Sequence, residues 1–210
     1  MTLYLKTFFT AMIFFILLSN KAFAIPVTKE GQELSQVLDD MHVEEKWRPG
    51  DYVNWLTGRT LEVLGGSFPT HCSEFVAAAA LRCGIYILQP PDHQRGLLAN
   101  AQYYWLKKHG KRFGWFQVKN RIEAQAFANK GCFTVAAFAN PHPGRSGHIA
   151  IVRPCEKSRA SILRFGPEII QAGLENYNST AQIVGFGHRS AKYFVHRTQF
   201  CKIKTMEIPA

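Results

Sequence analysis

The order of the predicted elements indicates an α+β fold in which N-terminal helices pack on an antiparallel β-sheet. Two observations support this class. Apolar residues recur at helical spacing in the first half of the chain, whereas short apolar segments separated by turn residues follow from residue 132 onward. The 210 residues are 47% apolar and only 19% charged, which is enough for one hydrophobic core and excludes a disordered protein.

Residues 1–24 are predicted to be a secretory signal peptide. Lys6 supplies a positive charge, an apolar run follows at residues 8–18, and residues 22–24 are small or apolar, as a cleavage site requires. A membrane anchor is the alternative, but the run is shorter than the about 20 residues that a spanning helix needs. We therefore expect residues 25–210 to form one domain, with no transmembrane segment after cleavage and a periplasmic or secreted location.

Four helices are predicted from apolar periodicity, and an irregular, glycine-containing stretch at residues 48–70 separates the first from the second. The second helix is expected to be central and buried, because its apolar residues share one face and alanines fill its sides. The predicted helices span residues 28–45, 72–83, 97–108 and 121–129.

Five short strands are predicted in the second half of the chain, where the apolar period changes and turn residues intervene. They span residues 132–139, 147–153, 168–172, 181–186 and 193–197. We expect them to pair as an antiparallel sheet with the early helices covering one side.

The chain has five cysteines, so at least one thiol stays free if the others form disulfides after export. Cys72 and Cys83 cannot bond each other, because eleven residues of helix separate them by about 16 Å. We expect up to two disulfides among the other four cysteines, with Cys155–Cys201 preferred. Cys83 can instead stay reduced and buried on the apolar face of the helix. Cys132 is the fourth cysteine that is available for a disulfide.

Cys72 is the candidate nucleophile. It begins a predicted helix, where exposed N–H groups and the positive end of the dipole stabilise a thiolate. The polar neighbours His71, Ser73 and Glu74 favour an exposed helix start, and Thr70 and Ser73 offer capping oxygens. A structural or disulfide-bonded cysteine is the alternative.

His148 is the candidate general base, because a flexible Ser-Gly turn delivers it into an apolar strand. A catalytic imidazole needs a third polar group to fix its orientation. Gln171 fits this role, since it interrupts the apolar run of the next strand, and Asn176 is the rival. A buried histidine satisfied by a backbone carbonyl, and a Gln171 that only bonds the sheet edge, are the structural alternatives.

Tyr52 and Trp55 precede the nucleophile and are candidates for lining a substrate cleft, although loop aromatics also cap cores. A zinc site formed by His71, Cys72 and His148 is conceivable. The sequence has no CxxC pair or HxxxH helix, so we predict no metal and no cofactor.

The segments CSEFV at residues 72–76, SGHIAIV at 146–152 and QAG at 171–173 resemble the CHAP and NlpC-type amidohydrolases of the papain-like superfamily. The motifs occur in the right order, and the resemblance spans about residues 55–186. It implies a papain-like fold, with Cys72 as nucleophile, His148 as base and Gln171 as orienting residue. Members of these families typically cleave amide bonds in bacterial peptidoglycan. The chain differs from them in placing His71 and Glu74 around the nucleophile.

The sequence thus predicts an exported cysteine amidase or peptidase that acts on peptidoglycan stem peptides or another amide-containing envelope polymer. A net charge of +10 would favour an anionic surface. A noncatalytic wall-binding or interaction module on the same fold is one alternative, and a secreted toxin is another. No phosphate-binding loop or nucleic-acid-reading motif is present in the sequence, so no specific nucleic acid partner is expected.

Overall fold

The computed structural model describes residues 24–62 and 70–201, which form a mixed α+β structure with antiparallel sheets, as the sequence predicts. The predicted signal peptide lies outside the described residues except for Ala24. The α-helices are α1 Lys29–Asp39, α2 Cys72–Arg82, α3 Leu98–Lys108, α4 Arg121–Asn129, α5 Arg159–Phe165 and α6 Gln182–Phe186. The strands are β1 Ala24–Ile25, β2 Trp115–Val118, β3 Phe133–Phe138, β4 His148–Val152, β5 Lys157–Ser158, β6 Glu168–Ala172, β7 Asn176–Ala181 and β8 Lys192–His196.

Six strands form the main sheet, in the order β2-β8-β3-β4-β6-β7, and every neighbouring pair is antiparallel. Strand β4 therefore lies between β3 and β6, which places the strand of His148 beside the strand of Gln171. Strands β1 and β5 form a separate two-stranded sheet. This pairing ties Ala24 and Ile25, on the two sides of the predicted cleavage point, to the body of the protein.

Helices cover both faces of the main sheet, whereas the sequence predicts cover on one side only. Helices α2 and α3 pack on one face through a cluster that includes Phe75, Ile149 and Ile170. Helix α4 packs on the opposite face against β3 and β8, and this second cluster includes Val195. The second face needs cover because the inner strands are apolar on both sides, as the fully buried β4 shows.

Helix α2 is the central helix that the sequence predicts. Nine of its eleven residues are buried, and residues 77–80 are four consecutive alanines with no exposed surface. Small side chains let the helix approach β4 and β6 closely on one side and α3 on the other. The helix start is thereby held against the strands that carry His148 and Gln171.

The predicted strand at residues 181–186 is wrong, because the chain forms helix α6 there. The β-branched Ile183 and Val184 favoured a strand, yet both are exposed. Gln182 and Phe186 are buried instead, four residues apart, which is the spacing of one helix face. Gly187, with φ of 56°, ends the helix in the left-handed region.

Other boundaries also differ from the predictions. Helix α1 ends at Asp39 rather than Glu45, and Thr28 caps its start by accepting a hydrogen bond from the N–H of Gly31. Strands β2 and β7 and helix α5 were not predicted. Strand β7 is polar because it forms one edge of the main sheet, so it lacks the apolar pattern of the inner strands.

One disulfide joins Cys132 to Cys201, so the preferred pairing of Cys155 with Cys201 is wrong. Cys155 is a free, partly buried thiol, and Cys83 is a free, buried thiol. Both bonded cysteines flank strands that pair in the sheet, since Cys132 precedes β3 and Cys201 follows β8. Cys72 is free, as the nucleophile assignment requires.

Candidate active site

Cys72, His148 and Gln171 meet at the junction of the first turn of α2 with strands β4 and β6. The Cys72 thiol and the ring of His148 interact, since each shifts the pKa of the other. On the other side of the ring, Nε2 of His148 lies 2.9 Å from Oε1 of Gln171. Gln171 thus holds one ring nitrogen of His148, and Nδ1 is the ring atom left for Cys72.

The alternation of side chains along paired strands places His148 and Gln171 on one face of the sheet. Val152 pairs with Ile169, and cross-strand partners share a face. His148 lies four residues before Val152, and Gln171 lies two residues after Ile169, so both stay on that face. The pairing of β6 with β7 also shifts register between Ile169 and Gln171, a local irregularity of the kind that re-aims side chains near functional sites.

The amide orientation of Gln171 is set by its two partners. Its Nε2 donates to the carbonyl oxygen of Glu175 at 3.1 Å, so Oε1 faces His148 as an acceptor. Nε2 of His148 must therefore carry the proton in this bond. This tautomer leaves Nδ1 free to accept the thiol proton of Cys72.

Two glycines make room for this arrangement. A Cβ added to Gly185 would lie 2.0 Å from Oε1 of Gln171, so a side chain there would displace the amide. A Cβ added to Gly147 would lie 2.1 Å from the carbonyl oxygen of Phe138. The glycine before His148 is thus required by a close approach of backbone at the start of β4.

The loop that leads into β4 is anchored by α3. Asn100 donates from Nδ2 to the carbonyl oxygen of Arg145 at 2.8 Å, and its Oδ1 accepts from the N–H of Asn140 at 2.9 Å. The ring of His148 also packs on Phe186, with centroids 4.6 Å apart. These contacts fix both the backbone and the imidazole of the candidate base.

The start of α2 is buried, and the expectation of an exposed helix start is wrong. His71, Cys72, Ser73 and Glu74 are all less than 9% exposed, and no side chain caps the helix. Hydrogen bonds satisfy the buried ring of His71. Its Nδ1 lies 2.8 Å from Oε2 of Glu74, and Nε2 of His71 lies 3.0 Å from the carbonyl oxygen of Asp51.

Arg95 completes this buried network from the segment that precedes α3. Its guanidinium donates to both carboxylate oxygens of Glu74 and to the carbonyl oxygen of Val53. Burial acts to raise the pKa of Glu74, but the hydrogen bond to His71 and the hydrogen bond and charge of Arg95 hold it below its ordinary value. A buried, paired carboxylate therefore anchors the turn that carries Cys72.

The surroundings of Cys72 and His148 shift both pKa values in the direction of the charged pair. Burial acts to raise the pKa of Cys72, but the hydrogen bond and charge of His148 and the N–H groups of Ile149 and Ser73 lower the pKa below its ordinary value. Burial acts to lower the pKa of His148, whereas Cys72 and Gln171 raise it above its ordinary value. Both shifts act in the direction of a thiolate beside an imidazolium, which is the reactive form of a cysteine nucleophile.

A cavity of about 1070 Å³ opens beside the pair, on the side of His148 and Gln171. Its walls come from the residue before the buried helix start, the loop before β4, the β6–β7 turn and the segment after α6. They include Thr70, Gly147, His148, Gln171, Leu174, Tyr177, Val184 and Arg189. Cys72 is 5% exposed and is not among the lining residues, so the cavity reaches the pair through His148.

Tyr52 and Trp55 do not line this cavity either. Tyr52 lies under the guanidinium of Arg95, with the ring centroid 4.7 Å from Cζ. The carbonyl oxygen of Trp55 accepts a hydrogen bond from Nε1 of Trp47. Tyr52 thus packs on the network behind the start of α2, whereas Trp55 packs on the core cluster.

Asn176, the rival orienting residue, bonds elsewhere. Its Nδ2 lies 2.7 to 3.2 Å from the carbonyl oxygens of Val43, Lys46 and Trp47, in the loop after α1. Gln171 is the residue that holds His148. The zinc arrangement finds no support, because both ring nitrogens of His71 bond Glu74 and Asp51, and no metal-binding cluster of His, Cys, Asp and Glu occurs within the described ranges.

Sequence reasoning missed Arg95, Gly185 and Arg189. Arg95 lies 21 residues from Glu74, and the signal available in the sequence was an acidic residue inside an otherwise apolar helix, which needs a cation when buried. Gly185 and Arg189 had no such signal, because α6 was assigned as a strand. Within residues 24–62 and 70–201, every helix is too short or too polar to cross a bilayer.

Comparison with known proteins does not place this chain in a family. No protein-family model matches the sequence, and no curated protein matches it.

Proposed function

We propose that this chain is an exported cysteine amidase or peptidase of the papain-like type. The observation that carries the proposal is the meeting of Cys72, His148 and Gln171 at one point of the fold. Gln171 hydrogen-bonds the His148 ring, the pKa of the thiol is lowered, and that of the imidazole is raised. A buried structural cysteine has the opposite tendency, as Cys83 illustrates: burial raises its pKa to about 11. The helix-to-sheet order and the motif resemblance support the same class.

The proposed reaction begins from the ion pair. The Cys72 thiolate attacks the carbonyl carbon of an amide, and the N–H of Cys72 at the helix start stabilises the developing oxyanion, because first-turn N–H groups have no intrahelical acceptor. His148 then donates its Nδ1 proton to the leaving nitrogen as the C–N bond breaks, which leaves a thioester on Cys72. Neutral His148 next takes a proton from water, the resulting hydroxide displaces the thiolate, and a carboxylic acid is released.

Gln171 has a positioning role in this cycle. Because its Oε1 holds Nε2–H of His148, the Nδ1 atom stays directed toward the thiol through both proton transfers. A neutral amide stabilises the imidazolium less than a carboxylate would. It nevertheless raises the pKa of His148 and so favours the ion pair.

Peptidoglycan stem peptide is the proposed substrate, on the basis of the motif resemblance and the predicted export signal. The test is to incubate the purified protein without residues 1–24 with peptidoglycan sacculi and to identify released fragments by mass spectrometry. Release of amide-cleavage products by the wild type and not by Cys72→Ala supports the proposal. Binding of sacculi without any cleavage would instead indicate the noncatalytic wall-binding module.

A further inference from the structure

A second, smaller recess adjoins the candidate catalytic cavity. Its volume is about 290 Å³, and the segment from Gly187 to Ser190 after α6 lines both spaces. The remaining walls come from the ends of α4, α5 and α6. The two spaces are therefore adjacent and share this segment as a wall.

The recess is strongly basic. Arg121, Arg164 and Arg189 line it from three different segments, and the side chains of Gln182 and His188 add further nitrogen atoms. Among the described residues that line it, none is acidic. Three guanidinium groups around a small space with no carboxylate form a surface complementary to an anion, and the planar fork of Arg matches a carboxylate in particular.

Two of these arginines are held in place by neighbouring groups. Nη1 of Arg121 donates to the carbonyl oxygen of Leu163 at 3.0 Å, and the guanidinium of Arg164 stacks on Phe165 with Cζ 5.0 Å from the ring centroid. Ordered cations lose less side-chain freedom when a ligand binds. The recess is thus partly preorganised for an anion.

Arg189 links the recess to the candidate catalytic pair. It lines both spaces, and its charge acts against protonation of His148, so the two groups are close enough to interact. An anion bound to Arg189 would offset that repulsion. It would therefore favour the imidazolium of His148 and, with it, the thiolate of Cys72.

We propose that the recess formed by Arg121, Arg164 and Arg189 binds a free carboxylate on the substrate whose amide is cleaved at Cys72. This inference rests on the proposed function and narrows its substrate class to acidic peptides. The cavity and the recess then hold two parts of one molecule, the amide beside His148 and the carboxylate beside the arginines.

The first test compares two muropeptides that differ only in whether the peptide carboxylate next to the scissile amide is free or amidated. The wild type is expected to cleave the free acid with a kcat/KM about tenfold higher or more, since a charged hydrogen bond to Arg is lost in the amide. Arg164→Ala/Arg189→Ala should abolish that preference. Arg112→Ala removes one exposed cation from the 3₁₀ helix at Gly110–Phe113, outside both spaces, and should retain it.

Equal rates on the two muropeptides, or a preference that survives the double substitution, would overturn the inference while leaving the amidase proposal intact. If neither muropeptide is cleaved, the proposed function fails, and a second measurement decides the inference alone.

That second measurement is the ratio of Cys72 alkylation rates with iodoacetate and iodoacetamide, followed by peptide mapping. The reagents transfer similar groups to the thiolate with loss of iodide, but only iodoacetate carries a carboxylate. The ratio should exceed that of a small free thiol several-fold in the wild type and in Arg112→Ala, and should fall below the wild-type ratio in Arg189→Glu. An unchanged ratio in Arg189→Glu would overturn the inference whether or not the protein is a hydrolase.

Discussion

Replacing Gln171 by alanine separates an oriented catalytic pair from a cysteine and a histidine that meet by chance. The substitution removes two hydrogen bonds, one from His148 at 2.9 Å and one to the carbonyl oxygen of Glu175 at 3.1 Å. At about 1 kcal/mol net for each bond, the free energy of unfolding should fall by about 2 kcal/mol. Without its acceptor the ring can rotate, and the pKa of His148 loses one of the contacts that raise it. Turnover per folded molecule should therefore fall more than tenfold.

The assay pairs urea denaturation with turnover on a cleaved muropeptide, corrected for the folded fraction. Gln125→Ala is the matched control. Gln125 lies on α4, is buried like Gln171, and also makes hydrogen bonds to backbone groups. It should lose comparable stability and keep its turnover. Gln171→Asn should recover little activity, since the shorter side chain withdraws the oxygen from the ring.

The result that would refute this reasoning is a Gln171→Ala protein that loses stability like Gln125→Ala and keeps wild-type turnover. Gly185→Ala tests the same role of Gln171, because the added methyl group would displace Oε1 of Gln171 while the Gln171 side chain stays present. Full activity in both variants would show that the ring of His148 is oriented by another group.

The remaining predictions concern the supports of the site. Glu74→Gln should lower the free energy of unfolding by about 3 kcal/mol, since it leaves the Arg95 guanidinium without its buried carboxylate partner. In the wild type, the stability that ionised Glu74 contributes is present above the ordinary Glu pKa and is lost as pH falls through the depressed pKa of Glu74. Acid denaturation of the wild type and of Glu74→Gln will measure this loss. Asn176→Ala should cost about 2 kcal/mol in urea denaturation and leave turnover per folded molecule unchanged, because its amide bonds loop carbonyls. Replacing Cys132 and Cys201 by serine should cost about 4 kcal/mol by denaturant titration, from the loop of 69 residues that the disulfide closes.

The sequence predicted the parts of the site that depend on local pattern. Cys72 begins a helix whose apolar face and alanines are visible in the sequence, and His148 and Gln171 interrupt apolar strands at positions where strand alternation gives them one face. Both strands are inner strands of the sheet, so their apolar character is strong. The disulfide could not be predicted, because the chain reversals that bring Cys132 near Cys201 depend on β8 pairing with β3.

What the sequence could not predict depends on contacts between distant segments. The polar residues around Cys72 indicated exposure, yet Glu74 is buried because Arg95 arrives from the segment before α3. The sequence predicts a strand where helix α6 lies, because Ile183 and Val184 have strand propensity. The burial of Gln182 and Phe186 cannot be read from the sequence. That error also hid the segment that carries Arg189 to the cavity wall.

The alkylation rate of Cys72 as a function of pH tests the central claim most directly. The three free cysteines react in one sample with iodoacetamide, and peptide mapping follows each of them separately. Cys83 and Cys155 are internal references, because burial raises the pKa of both thiols, that of Cys83 to about 11. We expect Cys72 to react first, with a midpoint below the ordinary thiol range, and His148→Ala to move that midpoint upward. A Cys72 midpoint at or above the ordinary thiol value, unchanged in His148→Ala, would contradict the thiolate–imidazolium pair.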